Sequence, residues 1–184
     1  MECSVVQTTI EQEDAVETAL KTAQMKGRRP AESGGIQARC RLMYSPFWSA
    51  KFRCEVKRVL LPPKRGVIAA GADAFSGFVS LIAGSVSTVN SDIQGDLLLP
   101  VRFDWPQVRE RAQKHVKDFF VYKLRRVPTY MDEQVDFLYR PIWVCVLDDE
   151  GKEVIRCVDA HSRDPLYYLD SVADEIARLA GLLK

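Results

Sequence analysis

Two histidines, five cysteines and no CxxC pair among 184 residues leave little from which to build a metal centre. His115 and His161 stand far apart, and Cys3, Cys40, Cys54, Cys145 and Cys157 are odd in number and lack ligand spacing. These gaps disfavour a structural zinc site and a disulfide framework, so the thiols read as small core hydrophobes. No segment approaches the roughly 18 apolar residues of a membrane span. The stretch MECSVVQTTIEQED has neither the basic start nor the apolar run of a signal peptide, which makes the cytoplasm the expected compartment. Neither GxGxxG nor GxxxxGK occurs, and no cofactor is implied.

What is present is an ordinary globular composition, 47% hydrophobic and 28% charged, enough to build a core. The net charge of +1 hides an asymmetry. Residues 20–66 carry twelve Lys or Arg against two Glu, a net +10, whereas residues 127–184 carry six basic and twelve acidic residues, a net −6. Such a difference can select partners without setting the fold.

The chain also repeats itself. LMYSPFWSAKF begins at Leu42 and FLYRPIWVCVL at Phe137, ninety-five positions later, so Tyr-x-Pro-x-Trp occurs twice. Each copy follows an amphipathic helical stretch. In TIEQEDAVETALKTAQMKG, Thr9 is the N-cap candidate with Gln12 at the box position, Ala15, Val16, Ala19, Leu20 and Ala23 share a face, and Gly27 is a stop. In DWPQVRERAQKHVKDFFVYKL, Asp104 is the N-cap candidate with Gln107 in the box, Pro106 lies in the first turn, and Trp105, Val108, Ala112, Val116, Phe119 and Phe120 form the stripe.

After the turn-rich RRPAESGG, the alternation of QARCRLMY predicts a half-buried strand, and WSAKFRCEVK a second, with Trp48, Ala50, Phe52, Cys54 and Val56 inward. Proline lacks a donor, so Ser45, Pro46 and Phe47 are expected to break the strand into a packed corner at which Tyr44 and Trp48 face one core. A loop LPPKRG and a strand near GVIAAGAD follow; EQVDFLY, WVCVLD, the tight DDEG connection and KEVIRCVDA repeat the order. The longer first hairpin accounts for the unequal spacing from each Trp to DAFSG at Asp73 and DAHSR at Asp159, which have the composition of turns.

These residues imply an α+β fold of two tandem α-β-β-β units with small antiparallel sheets, plus a C-terminal helix. The first repeat spans residues 1–90 and the second 91–184, with GSVSTVNSDIQGD as linker. The arrangement resembles the PepSY-type domain, a small module of peptidase propeptides and membrane-associated proteins whose third strand ends in Asp-Ala-x-Thr-Gly. Asp73, Ala74, Ser76 and Gly77 fit that ending with Ser for Thr, whereas the second copy keeps Asp159, Ala160 and Ser162 but has Arg163 for the glycine. The doubled Tyr-x-Pro-x-Trp also looks like bacterial repeat proteins with Tyr-Pro-aromatic strands. The resemblance implies a binding or inhibitory module without catalytic residues.

Two surfaces are candidates. Arg39, Arg41, Lys51, Arg53 and Lys57 fall on the outward side of the first ladder, either as a solvated face or as a site for an anionic partner such as nucleic acid. In the second copy the outward set is Leu138, Ile142, Val144 and Val146, to be covered by a helix capped at Asp164 and Pro165, or by a protein partner or second copy. Cys157 and His161 allow a hydrolase reading, without an evident oxyanion or orienting group. The function expected is therefore a non-enzymatic binding or assembly protein, with anionic-ligand or nucleic-acid binding second and a Cys/His hydrolase third.

Overall fold

A computed structural model describes residues 2–25, 36–58, 60–82, 87–149 and 151–183. The connection RRPAESGG and the stop at Gly27 lie outside the described residues. In chain order the elements are β1 (Glu2–Val6), α1 (Gln12–Met25), β2 (Gln37–Arg58), β3 (Leu61–Asp73), β4 (Val79–Ile82), β5 (Thr88–Asp92), α2 (Trp105–Leu124), β6 (Thr129–Asp149), β7 (Lys152–Asp159) and α3 (Ala173–Leu179). A 3-10 helix (Tyr167–Val172) leads into α3.

The two expected small sheets are replaced by one mixed seven-stranded sheet of order β4-β3-β2-β6-β1-β5, with β7 also paired to β6. A parallel register joins Val5 of β1 to Tyr139 of β6, and the linker stretch supplies β5, antiparallel to β1. The expectation failed at the prolines. Pro46 and Pro141 do not break their strands: β2 runs 22 residues and β6 runs 21, each straight through its Tyr-x-Pro-x-Trp. Proline forces its predecessor into extended backbone, which a strand already uses, and its carbonyl can still accept. LPPKRG is likewise no loop but the start of β3, with Leu61 opposite Arg58.

The chain forms two compact units, and neither is one sequence repeat. One comprises residues 46–86 and 101–138, the other residues 1–45, 87–100 and 139–184. In the first, α2 lays Val108, Ala112, Val116 and Phe120 on Ala50, Phe52, Cys54 and Val56 of β2 and Ala70 and Ala72 of β3. In the second, α1 lays Ala15 and Ala19 on Cys145 and Leu147 of β6 and Val158 of β7. The helix preceding each motif therefore covers the strands of the other copy. At about 1.5–3 kcal/mol for each large apolar side chain buried, this exchange is a main source of stability in either unit.

The α2 start follows its sequence signals. Asp104 Oδ1 accepts from Gln107 N–H at 3.0 Å, Gln107 Oε1 accepts from Asp104 N–H at 2.9 Å, and Pro106 lies in the first turn. At α1, Thr9 is not the cap, because its hydroxyl donates to the His161 carbonyl instead. Nor does Asp164 start a helix: it accepts from Ser162 Oγ at 2.7 Å, and the chain coils as a 3-10 helix before α3 begins.

Candidate functional site

The two Asp-Ala-x-Ser segments form the same turn. Asp73 and Asp159 are buried at the ends of β3 and β7. Asp73 Oδ1 accepts from Phe75 N–H (3.2 Å), Ser76 N–H (2.7 Å) and Ser76 Oγ (2.8 Å). Asp159 Oδ1 accepts from His161 N–H (2.6 Å) and Ser162 N–H (2.8 Å). Each turn is closed through a left-handed residue, Gly77 at φ 73° and Arg163 at φ 64°.

Each turn docks onto its own proline motif. Ala74 N–H donates to the Pro46 carbonyl at 2.8 Å, and Ala160 N–H to the Pro141 carbonyl at 3.1 Å. The carbonyl of Ala74 then accepts from Arg102 and Phe103 N–H, and that of Ala160 from Thr9 and Ile10 N–H. The motif indoles complete the joint: Trp48 Nε1 donates to Phe103 O at 3.0 Å and Trp143 Nε1 to Ile10 O at 3.3 Å. Both acids thus hold the approach to a helix, and their carboxylates are spent on backbone donors. In the second copy Asp159 is also paired with Arg140, where the first copy has Ser45.

No family model, no curated protein and no solved structure matches the chain. Among the described residues no group of three or more His, Cys, Asp or Glu could hold a metal, and no helix is long and apolar enough to cross a membrane. Cys157 is buried in β7, while His161 Nδ1 lies 2.9 Å from the Gln7 carbonyl on the following turn. Cys145 hydrogen-bonds Cys40 and holds that half-buried thiol below its usual range, while the same bond and burial push Cys145 up. Burial likewise raises Cys54 and, together with a nearby Cys54 charge, pushes Tyr130 up to about 12.

The apolar quartet is interior: Leu138, Ile142, Val144 and Val146 are buried, and the last three pair with β7, on which α3 and the 3-10 helix pack. It offers no surface to a partner. The five basic candidates separate into two groups. Arg39 pairs with Glu153 and donates to Leu182 O at 2.8 Å. Arg41 donates to Ala180 O at 2.9 Å and pairs with Asp96 at 2.8 Å. Both neutralise the carbonyl end of the C-terminal helical turn, a structural task for a cation.

Lys51, Arg53 and Lys57 belong to the other unit and point away from α2, exposed and without ion pairs among the described residues. Beside β2 in the sheet, β6 turns Glu133 and Val135 toward α2 and leaves Asp132 and Asp136 exposed on the outer side. Positive charge is therefore strongest further along, where β2 turns into β3. There, among the described residues, the one acid, Glu55, is already paired with Arg65 at 3.0 Å. Arg126 Nη1 donates to Lys57 O at 3.1 Å and brings the end of α2 to this hairpin, adding exposed Lys123 and Arg125. Sequence alternation found the outward residues of β2; it missed the second group, which is 60 or more positions away in the chain.

Proposed function

We propose that the protein is a non-enzymatic binding protein whose contact surface is the cationic end of the β2–β3 hairpin, and that its partner is polyanionic. The observation that carries this is the set of exposed, unpaired cations, Lys51, Arg53, Lys57, Lys64, Lys123 and Arg125, gathered from two chain segments in one unit. A merely solvated face is expected to mix signs, as the middle of this sheet does with Asp132 and Asp136. Contacts of this kind to phosphates release counterions and weaken steeply with salt.

The test is retention of the intact protein on a phosphocellulose matrix across a salt gradient. Lys57→Glu with Lys64→Glu should move elution to much lower salt while circular dichroism stays unchanged. Elution of the variant at the wild-type salt concentration would refute the reading.

A further inference from the structure

The hairpin ends in residues that their own fold does not use. Leu60 has φ 63°, a left-handed conformation in which an L side chain crowds the backbone, and its side chain is 99% exposed. Asn or Gly would take that position at lower cost, so leucine gains neither conformation nor burial. Leu61 is 58% exposed beside it. Pro62 and Pro63 follow without N–H groups, so at these two positions the tip lacks the donors by which another strand could add to it. An apolar tip ill suited to extending the sheet is fitted to bury side chains instead.

Its surroundings define where. Segments 55–67 and 121–127 hold seven basic residues and one acid, a net +6. Tyr122 and Val127, exposed at 83% and 64%, lie on the α2 side of the same end. We infer that this end docks on an anionic lipid surface. Leu60 and Leu61 enter the boundary between headgroups and acyl chains, Lys57, Lys64 and Arg125 meet headgroup phosphates, and Tyr122 takes the interfacial level that suits an aromatic with a polar tip. Single-stranded nucleic acid would use the same cations but stacks its bases on rings, and Tyr122 is the ring on offer while the tip itself is aliphatic. The assignment rests on the polyanion reading above and narrows it.

The experiment is flotation of the full chain with phosphatidylcholine vesicles, with and without phosphatidylglycerol, at low and high salt, alongside binding to a short DNA duplex and a single strand. Flotation with the anionic vesicles is expected. Leu60→Asn with Leu61→Ser should weaken it by about tenfold or more, with an unchanged or higher melting temperature because Asn accepts the left-handed turn. Lys57→Gln with Lys64→Gln should remove the salt-sensitive part. Leucine variants that float like wild type, or equal flotation with neutral vesicles, would overturn the lipid assignment. Binding to DNA without binding to vesicles would overturn it and leave the polyanion reading standing; binding to neither would overturn both.

Discussion

Pro46 accepts the backbone N–H of Ala74 through its carbonyl at 2.8 Å, and Pro141 accepts that of Ala160 at 3.1 Å. The two sequence signatures that stood out, Tyr-x-Pro-x-Trp and Asp-Ala-x-Ser, are thus halves of one joint, made twice. Differences between the two joints give sharper tests than their likeness.

Asp159 is paired with Arg140, which stands where the first joint has Ser45. Removing the carboxylate as Asp159→Ala leaves Arg140, only partly exposed, facing a protein interior, and is expected to cost about 3 kcal/mol. Arg140→Ser, which copies Ser45 of the first joint, should cost less, because the Asp159 carboxylate keeps its two backbone donors. A double-mutant cycle in urea should show a clear coupling energy between the two positions; additive costs would refute the pairing.

Gly77 and Arg163 occupy matching left-handed positions with unequal freedom. A Cβ at Gly77 would lie 3.0 Å from the Phe103 ring at an unfavourable φ, so Gly77→Ala should destabilise by about 1–2 kcal/mol. Arg163→Gly removes exposed pairs with Asp14 and Glu17 but relieves the backbone, and should change stability by less than about 1 kcal/mol. Thermal melts of the two variants distinguish them.

Lys21, followed by Arg163, holds the Glu17 carboxyl below its ordinary value. A depressed acid contributes stability that is present above its unfolded pKa of 4.5 and is lost as pH falls through the lower folded value. Lys21→Ala should flatten the decline of stability in that acid window and leave the neutral region nearly unchanged. Urea midpoints measured from neutral pH downward give the profile.

Of the five thiols, Cys40 is half-buried and lowered by its bond from Cys145, while Cys3, Cys54, Cys145 and Cys157 are buried. Alkylation of the folded protein should therefore modify Cys40 first, as peptide mass spectrometry would show. Early modification of Cys157 would instead revive a nucleophilic role for it.

A chain cut between Gln94 and Gly95 should yield two fragments, neither of which folds alone. Each has a helix whose apolar face is covered by the other fragment's strands, as with Ala15 and Ala19 on Cys145 and Val158. Mixed together they should form one complex with the circular dichroism of the intact protein. Independent folding of either fragment would contradict the helix exchange.

Local elements could be read along the chain, because caps and alternation are local, whereas the joining of both strand sets into one mixed sheet could not. The Asp104–Gln107 box, the inward set from Ala50 to Val56 and the α2 stripe are where spacing placed them, except that Phe119 is exposed. The identity of the cover was not legible: both helices present an apolar stripe and both strand pairs an apolar face, so patterning cannot say whether α1 covers the strands that follow it or those of the other copy. Pro46 and Pro141 misled because a missing donor weighs little when the residue's carbonyl carries the contact. In the site, Lys51, Arg53 and Lys57 were visible as outward positions. That Arg39 and Arg41 are occupied at the C-terminal turn depends on contacts about 140 residues away, which no local pattern encodes.

The exchanged helices also bear on how one copy came to differ from the other. Two separate chains trading such helices would form a symmetric pair, and every residue would appear in both copies. With the copies joined covalently, each can drift alone: serine stands at position 45 and arginine at the matching position 140, and the cation-rich leucine tip occurs once. Joining the copies in one chain frees each to carry its own residues, so that the tip proposed to meet lipid is present once per molecule rather than twice.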